Sequence, residues 1–185
     1  MNNLNLQALM IDLDGTLVDT IGDFEVALNR ALADVDVPQA SRALIERSIG
    51  KGSEHLIRSV LTHQLAQSGA PDTAREVATL ATPVWERYEH HYLAINGEFS
   101  ALFPGVLQGL DLLKALGLPM ACLTNKPLSF TQPLLKAKGL AGYFDHVFGG
   151  DSFARKKPDP LPLIKTCEAL QSSPAYTLMV GDSSN

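Results

Sequence analysis

Asp12 and Asp14 stand at the end of an apolar run that begins at Leu6, and Gly15 and Thr16 follow them directly. In a strand, residues i and i+2 project to the same face, so this spacing sets two carboxylates side by side. Gly15 lets the chain turn sharply, and Thr16 adds a hydroxyl. Carboxylates drawn together out of bulk water repel one another and favour a positive partner. A divalent cation held by oxygen ligands meets that need. An Asp-Gly surface turn is the plain alternative for the dipeptide alone. The longer run from Asp12 to Thr20, Asp-Leu-Asp-Gly-Thr-Leu-Val-Asp-Thr, favours chemistry.

The elements that must position these groups follow from period and punctuation. Residues 6–12 read as a strand buried on both faces, because the apolar residues run on without alternation. From about residue 21 the period becomes helical: Phe24, Ala27, Leu28, Ala31 and Leu32 share one face, and Asp36 and Pro38 mark its end. A second helix is expected over about 40–49, broken by Gly50-Lys51-Gly52. A third is capped by Ser53 and carries Leu56, Ile57, Val60, Leu61 and Leu65. A fourth covers 73–95 with a kink or break at Pro83, and its Trp85, Tyr88 and Tyr92 read as core. The block 20–96 is thus an all-helical unit.

Beyond it the pattern alternates. A helix runs from Pro104 to Gly117, then come a strand over 119–124, a helix over 128–138 and a short strand at Val147-Phe148. A helix over 160–171 and a strand over 176–180 follow. Such alternation predicts a parallel sheet with helices on its faces. The expected fold class is α/β: a Rossmann-like parallel-sheet core formed by 1–19 and 97–185, with the helical 20–96 inserted after the first strand.

In sheets of this kind ligands bind beyond the C-terminal ends of the strands. Asp12 and Asp14 end the first. The second ends in Thr124-Asn125-Lys126-Pro127, whose hydroxyl and turning amides suit an anion. The loop after the third holds Lys157 before a rigid proline, and the last strand ends in Gly181-Asp182. Singly, Thr124 reads as a helix cap, Lys157 as a solvated lysine and Asp182 as a turn residue. Their use of one rim argues for a joint site.

Composition narrows the partners. The formal net charge of −5 argues against a nucleic-acid or anionic-membrane surface. The apolar stretch from Leu102 to Leu123 is interrupted by Asp111, Lys114 and prolines, so no membrane span is expected. No basic region precedes the first apolar run, as a secretory signal would require. Two cysteines, Cys122 and Cys167, both in apolar settings, read as buried thiols in a reducing cytoplasm.

The run from Asp12 to Thr20 resembles the first motif of the haloacid dehalogenase-like phosphohydrolases. Thr124, Lys157 and Gly181-Asp182 match the second, the third and the start of the fourth in order. The resemblance spans essentially the whole chain, and the helical insertion is similar to the cap of one subgroup. It implies a Mg²⁺-dependent phosphomonoester hydrolase that works through an aspartyl-phosphate. Asp12 is the implied nucleophile and Asp14 the implied general acid and base. Thr124 and Lys157 are implied to act on the phosphoryl group, with Asn125 beside them at the substrate. The implied Mg²⁺ ligands are Asp12, the main-chain carbonyl of Asp14, and Asp182.

Lys51 lies where relatives contact substrate through the cap, and a solvated turn lysine is the equal alternative. The implied substrate is a small phosphate ester, with 2-phosphoglycolate first, giving glycolate and phosphate. The alternatives are another capped phosphatase or a phosphomutase, acting on sugar phosphates or pyrophosphate, and a non-catalytic phosphate-binding scaffold. A monomer or homodimer is expected. The family's fourth motif reads Gly-Asp-x-x-x-Asp, with its second Asp falling just after Asn185, so the chain is expected to be part of a longer protein.

Overall fold

The structure is a computed structural model and describes residues 5–183. The chain divides into two compact units, one formed by residues up to Asp19 and from Ala101 onward, the other by Thr20–Ser100.

The first unit is built on a four-stranded sheet. Its strands are β1 (Ala8–Ile11), β4 (Met120–Leu123), β5 (His146–Phe148) and β6 (Thr177–Val180), in the order β5-β4-β1-β6. All pairings are parallel, with Leu9 opposite Met120 and Leu178. The unbroken apolar run of β1 is explained by its surroundings, because side chains on both faces are buried. Leu9, Ile11, Met120 and Cys122 pack on one face with α5 (Val106–Ala115) and α6 (Leu128–Ala137). Ala8, Met10, Ala121 and Leu123 pack on the other with Cys167 of α7 (Leu161–Ala169). Each large aliphatic side chain buried this way contributes about 1.5–3 kcal/mol. The two thiols therefore lie on opposite faces of the sheet, both buried and free.

Because every pairing in the sheet is parallel, the C-terminal ends of all four strands lie at one rim. A small antiparallel ladder stands where the chain leaves and rejoins this unit. In it β2 (Val18–Asp19) pairs with β3 (Ala101–Leu102). Sequence periodicity gave no sign of these strands, since two residues are too short to show any alternation.

The second unit contains α1 (Ile21–Ala33), α2 (Arg42–Glu46), α3 (Ser53–Gln67) and α4 (Thr73–Ile95). Helix α1 buries its Phe24-Ala27-Leu28-Ala31-Leu32 stripe. Phe24 meets Tyr92 of α4 at a ring-centroid distance of 5.6 Å, and Tyr92 meets Tyr88 at 5.4 Å. Tyr88 and Tyr92 are core, as their spacing predicts, while Trp85 is half-buried with its ring centroid 6.1 Å from that of Tyr88. Three local expectations differ. Helix α2 is shorter than 40–49, because the side-chain amide of Asn29 accepts from Ala40 N and donates to its carbonyl, holding Ala40 out of the helix. Gly52, at φ +92°, takes the cap position of α3, and Ser53 is its first helical residue. Helix α4 runs through Pro83, which sits on its exposed side, while Ala81, Val84 and Tyr88 stay buried across it.

Residues 97–100 group with the helices. The fully buried carboxylate of Asp23 accepts from Gly97 N at 2.9 Å and from Phe99 N at 2.7 Å. Main-chain donors on a buried carboxylate are charge-assisted bonds. Asp23→Ala is expected to destabilise this unit by about 2–3 kcal/mol, read as a lowered denaturation midpoint.

Candidate active site

At the end of β1 the alternation of the strand separates three consecutive side chains. Leu13 is fully buried in the core, while Asp12 and Asp14 turn the other way. The amides of Leu17 and Val18 both donate to the Leu13 carbonyl, at 2.9 and 3.1 Å, which coils the chain tightly after the pair. Gly15, at φ +78°, makes this turn possible, and Gly15 N donates to Val18 O at 2.9 Å.

Each carboxylate has its own lysine. Lys157 Nζ lies 2.7 Å from Asp12 Oδ2 and also donates to the Leu123 carbonyl at 2.9 Å. Lys126 Nζ lies 3.0 Å from Asp14 Oδ1 and 3.3 Å from Oδ2. The lysine side chains are almost wholly enclosed, at 3% and 0% exposure, and the carboxylates are more open, at 16% for Asp12 and 20% for Asp14. The other oxygen of Asp12, Oδ1, accepts from Leu13 N at 2.8 Å.

Asp12 nevertheless holds its proton more tightly than an ordinary aspartate. Burial raises its pKa, and Asp14 nearby adds to that. Lys157, as a charge and as a hydrogen-bond donor, and the Leu13 amide offset only part of it. Burial, reinforced by the charges of Asp12 and Asp14, also pushes the Cys122 thiol far up, so this thiol is unreactive.

The other strand ends converge on the same rim. Thr124, at the end of β4, is buried, and its hydroxyl oxygen accepts from Lys126 N at 3.2 Å. Asn125 Nδ2 donates to the Lys157 carbonyl at 2.9 Å, so the loop carrying Lys157 is tied to the end of β4. Gly149 and Gly150, after β5, pass so close to the main chain of Lys126, Leu128 and Asn125 that neither has room for a Cβ. Gly181 lies against the side chain of Asp12, and Asp182 against Gly15. Thr16 locks Asp182 in place: its hydroxyl donates to Asp182 Oδ1 at 3.1 Å and accepts from Asp182 N at 3.0 Å.

Asp12, Asp14, Thr124, Asn125, Lys157 and Asp182 thus all lie in the first unit, at one edge of its sheet. Lys51 belongs to the helical unit, exposed in the turn between α2 and α3. Two contributors escaped the sequence. Lys126 has no role legible in the sequence, because its partner lies 112 residues away. Thr16 offered a hydroxyl whose target, 166 residues on, the sequence does not mark.

Among the described residues no three His, Cys, Asp or Glu side chains gather into a metal cage. The donor set expected for Mg²⁺ needs only two carboxylates and a main-chain oxygen, and hard oxygen ligands suit that ion. The uncompensated penalty on ionised Asp12 is what a bound cation would relieve. The residues present fit the metal.

The model of the haloacid dehalogenase-like hydrolases matches residues 6–185. The chain belongs to that family. Its similar relatives include the phosphoglycolate phosphatase of Nitrosospira multiformis, 42% identical over 98% of this chain and 77% of the relative. That of Thiobacillus denitrificans is 41% identical over the same shares, 98% and 77%. The crystal structure of a predicted phosphoglycolate phosphatase from Haemophilus somnus superposes with a TM-score of 0.88 at 32% identity, covering 98% of this chain and 79% of that one. The family and these relatives make the chain an enzyme of the phosphatase class. Among haloacid dehalogenase-like hydrolases the core is a Rossmann-like α/β sheet, as found here. None of the described helices is long and apolar enough to cross a membrane.

Proposed function

We propose that the chain hydrolyses 2-phosphoglycolate to glycolate and phosphate through a phosphoryl group carried on Asp12. The observation that carries this reading is the pair of aspartates at the end of β1, each held by its own buried lysine. One carboxylate is thereby fixed as a nucleophile, and the other stands beside it for proton transfer. The names of the similar relatives support the choice of ester.

In this reading Asp12 attacks phosphorus, the bond to the glycolate oxygen breaks, and Asp14 delivers a proton to that oxygen. Asp14 then takes a proton from the water that releases phosphate. Lys157, fixed on Asp12 and on Leu123 O, offsets the negative charge that accumulates as a phosphate dianion meets an ionised carboxylate. Thr124 contacts the phosphoryl oxygens from the end of β4. Asn125 supports Lys157 through its bond to the Lys157 carbonyl. Lys51 contributes to substrate selection from the helical unit. Asp12, the Asp14 main-chain carbonyl and Asp182 would hold Mg²⁺, which would supply positive charge between the nucleophile and the phosphate. The free, buried thiols of Cys122 and Cys167 support a reducing cytoplasm as the setting.

The test is phosphate release from a panel of esters with and without Mg²⁺, joined to chemical trapping. Reduction of the acid-quenched enzyme with borohydride converts an aspartyl-phosphate to homoserine, and mass spectrometry should find it at position 12. Trapping at another residue, or turnover indifferent to Mg²⁺, would refute the reading.

Gly15→Ala probes the metal side. A Cβ at position 15 would strike the Asp182 carboxylate, and φ +78° is unfavourable for alanine. The strain costs about 1–2 kcal/mol. Displacing Asp182 from Thr16 should weaken Mg²⁺ binding by about tenfold or more. A Mg²⁺ titration of activity checks this, with a rightward shift of the midpoint expected.

A further inference from the structure

We propose that Lys126 is a positioning residue for proton transfer: it sets the carboxylate of Asp14, and through it the step in which the leaving oxygen is protonated. The proposal rests on the phosphatase reading above and deepens it.

Three observations carry it. The ammonium of Lys126 reaches both oxygens of Asp14, at 3.0 and 3.3 Å, which holds the carboxylate with its open end towards the lysine at a set distance. Its side chain has no exposure at all, so the ammonium end of the pair is shielded from water and screened less by salt than a surface pair would be. The main chain of Lys126 is anchored at both ends of the residue. Its N–H donates to Thr124 Oγ1 at 3.2 Å, and its carbonyl accepts from Gly150 N at 2.8 Å and Thr131 Oγ1 at 3.4 Å. A long, flexible side chain carries substantial rotamer entropy. Enclosing one and pinning its base turns it into a rigid strut from the end of β4 to the carboxylate at the end of β1.

Such a strut has a use particular to Asp14. The carboxylate of Asp12 is already fixed by Lys157 and by the Leu13 amide. Asp14 is the more exposed of the two aspartates, and an acid must stand within hydrogen-bond reach of the atom it protonates. Lys126 pairs with Asp14 as Lys157 pairs with Asp12, and the proposed action of Lys126 runs through Asp14. In the step concerned, the oxygen of Asp12 forms a bond to phosphorus and the bond from phosphorus to the leaving oxygen breaks. The proton of the Asp14 carboxyl passes to that oxygen, and Asp14 returns to the carboxylate that Lys126 holds.

The leaving group separates this role from a merely structural one. An alkoxide such as that of glycolate needs the proton, whereas 4-nitrophenolate departs without it. Because kcat/KM reports only steps through phosphoryl transfer to Asp12, it isolates the protonation that matters. Lys126→Met is expected to lower kcat/KM for phosphoglycolate by about tenfold or more, with kcat/KM for 4-nitrophenyl phosphate little changed. Asp14→Asn should show the same selectivity, and adding Lys126→Met to it should bring no further selective loss. A crystal structure of Lys126→Met should show Asp14 displaced from its parent position, a readout independent of turnover.

Equal losses on both esters, no loss, or an Asp14 that stays in place would overturn the proposal. If Lys126→Met does not fold, Lys126→Gln takes the same measurements. Failure of both to fold while Asp14→Asn folds marks Lys126 as a structural residue and also overturns it. The phosphatase reading fails separately, through a parent protein that hydrolyses neither ester or leaves no trapped group at Asp12.

Discussion

Asp12→Asn is expected to reduce phosphate-ester hydrolysis by about 10⁴-fold or more, the scale on which loss of a nucleophile is felt. Asparagine keeps the volume of aspartate, but its amide nitrogen must face a donor, Lys157 Nζ or Leu13 N, so a far-UV circular dichroism spectrum matching the parent's is needed to assign the loss to chemistry. The variant should also change how stability depends on pH. Folding raises the pKa of Asp12, chiefly through burial, so the folded chain holds this proton more tightly than the unfolded chain does. The stabilisation from that proton is fully present below the unfolded value and is lost as pH rises through the folded one. The asparagine of the variant cannot ionise. The stability of the parent relative to the variant, followed by denaturant titration without Mg²⁺, should therefore fall as pH climbs out of the ordinary carboxylate range. A parallel pair of curves would contradict the assignment of the buried charge.

Lys157→Met is expected to act on the same carboxylate from the other side. Two of the three influences that lower the Asp12 pKa, the charge of Lys157 and its hydrogen bond, disappear together, and only the Leu13 amide remains. The Asp12 pKa should rise further, and the acid limb of the kcat/KM profile should move to higher pH. Even on the plateau, loss of a fixed cation facing the phosphoryl group should cost about 10²–10³-fold in turnover. Breaking a buried ion pair by removing one partner costs about 3–5 kcal/mol where the other must stay charged. Asp12 can take up a proton instead, so the measured loss should be smaller at acidic pH and larger near neutrality. An unchanged acid limb would place the control of Asp12 elsewhere.

The readable parts of this chain were those with local signals. The apolar run into Asp12 announced a strand buried on both faces, and β1 lies between β4 and β6 with helices on either side. The Phe24–Leu32 stripe announced the buried face of α1. Alternation of helix and strand announced the parallel sheet, and from it the shared rim. What escaped depended on contacts between distant residues. Lys126 and Thr16 acquire their roles only when β4 and β6 are laid beside β1. The amide of Asn125 was expected at the substrate, and the sequence could not indicate that it meets the Lys157 main chain. Helix α4 continued past Pro83 because the carbonyl that the missing proline N–H leaves unbonded belongs to Thr79, an exposed residue open to water, while the buried stripe holds the turns on either side together.

The pairing of Val18–Asp19 with Ala101–Leu102 brings together chain segments separated by the entire helical block. On the helical side, Asp23 gathers Gly97 and Phe99 to the start of α1. The insertion is thus tied off twice at its own neck, once in each unit. The cost of closing a long loop grows only slowly with its length, so the α/β unit experiences the block much as it would a short hairpin connection. That makes the block a replaceable cassette. Helical inserts of other lengths and sequences could be carried between the same two short strands without disturbing the register of the sheet.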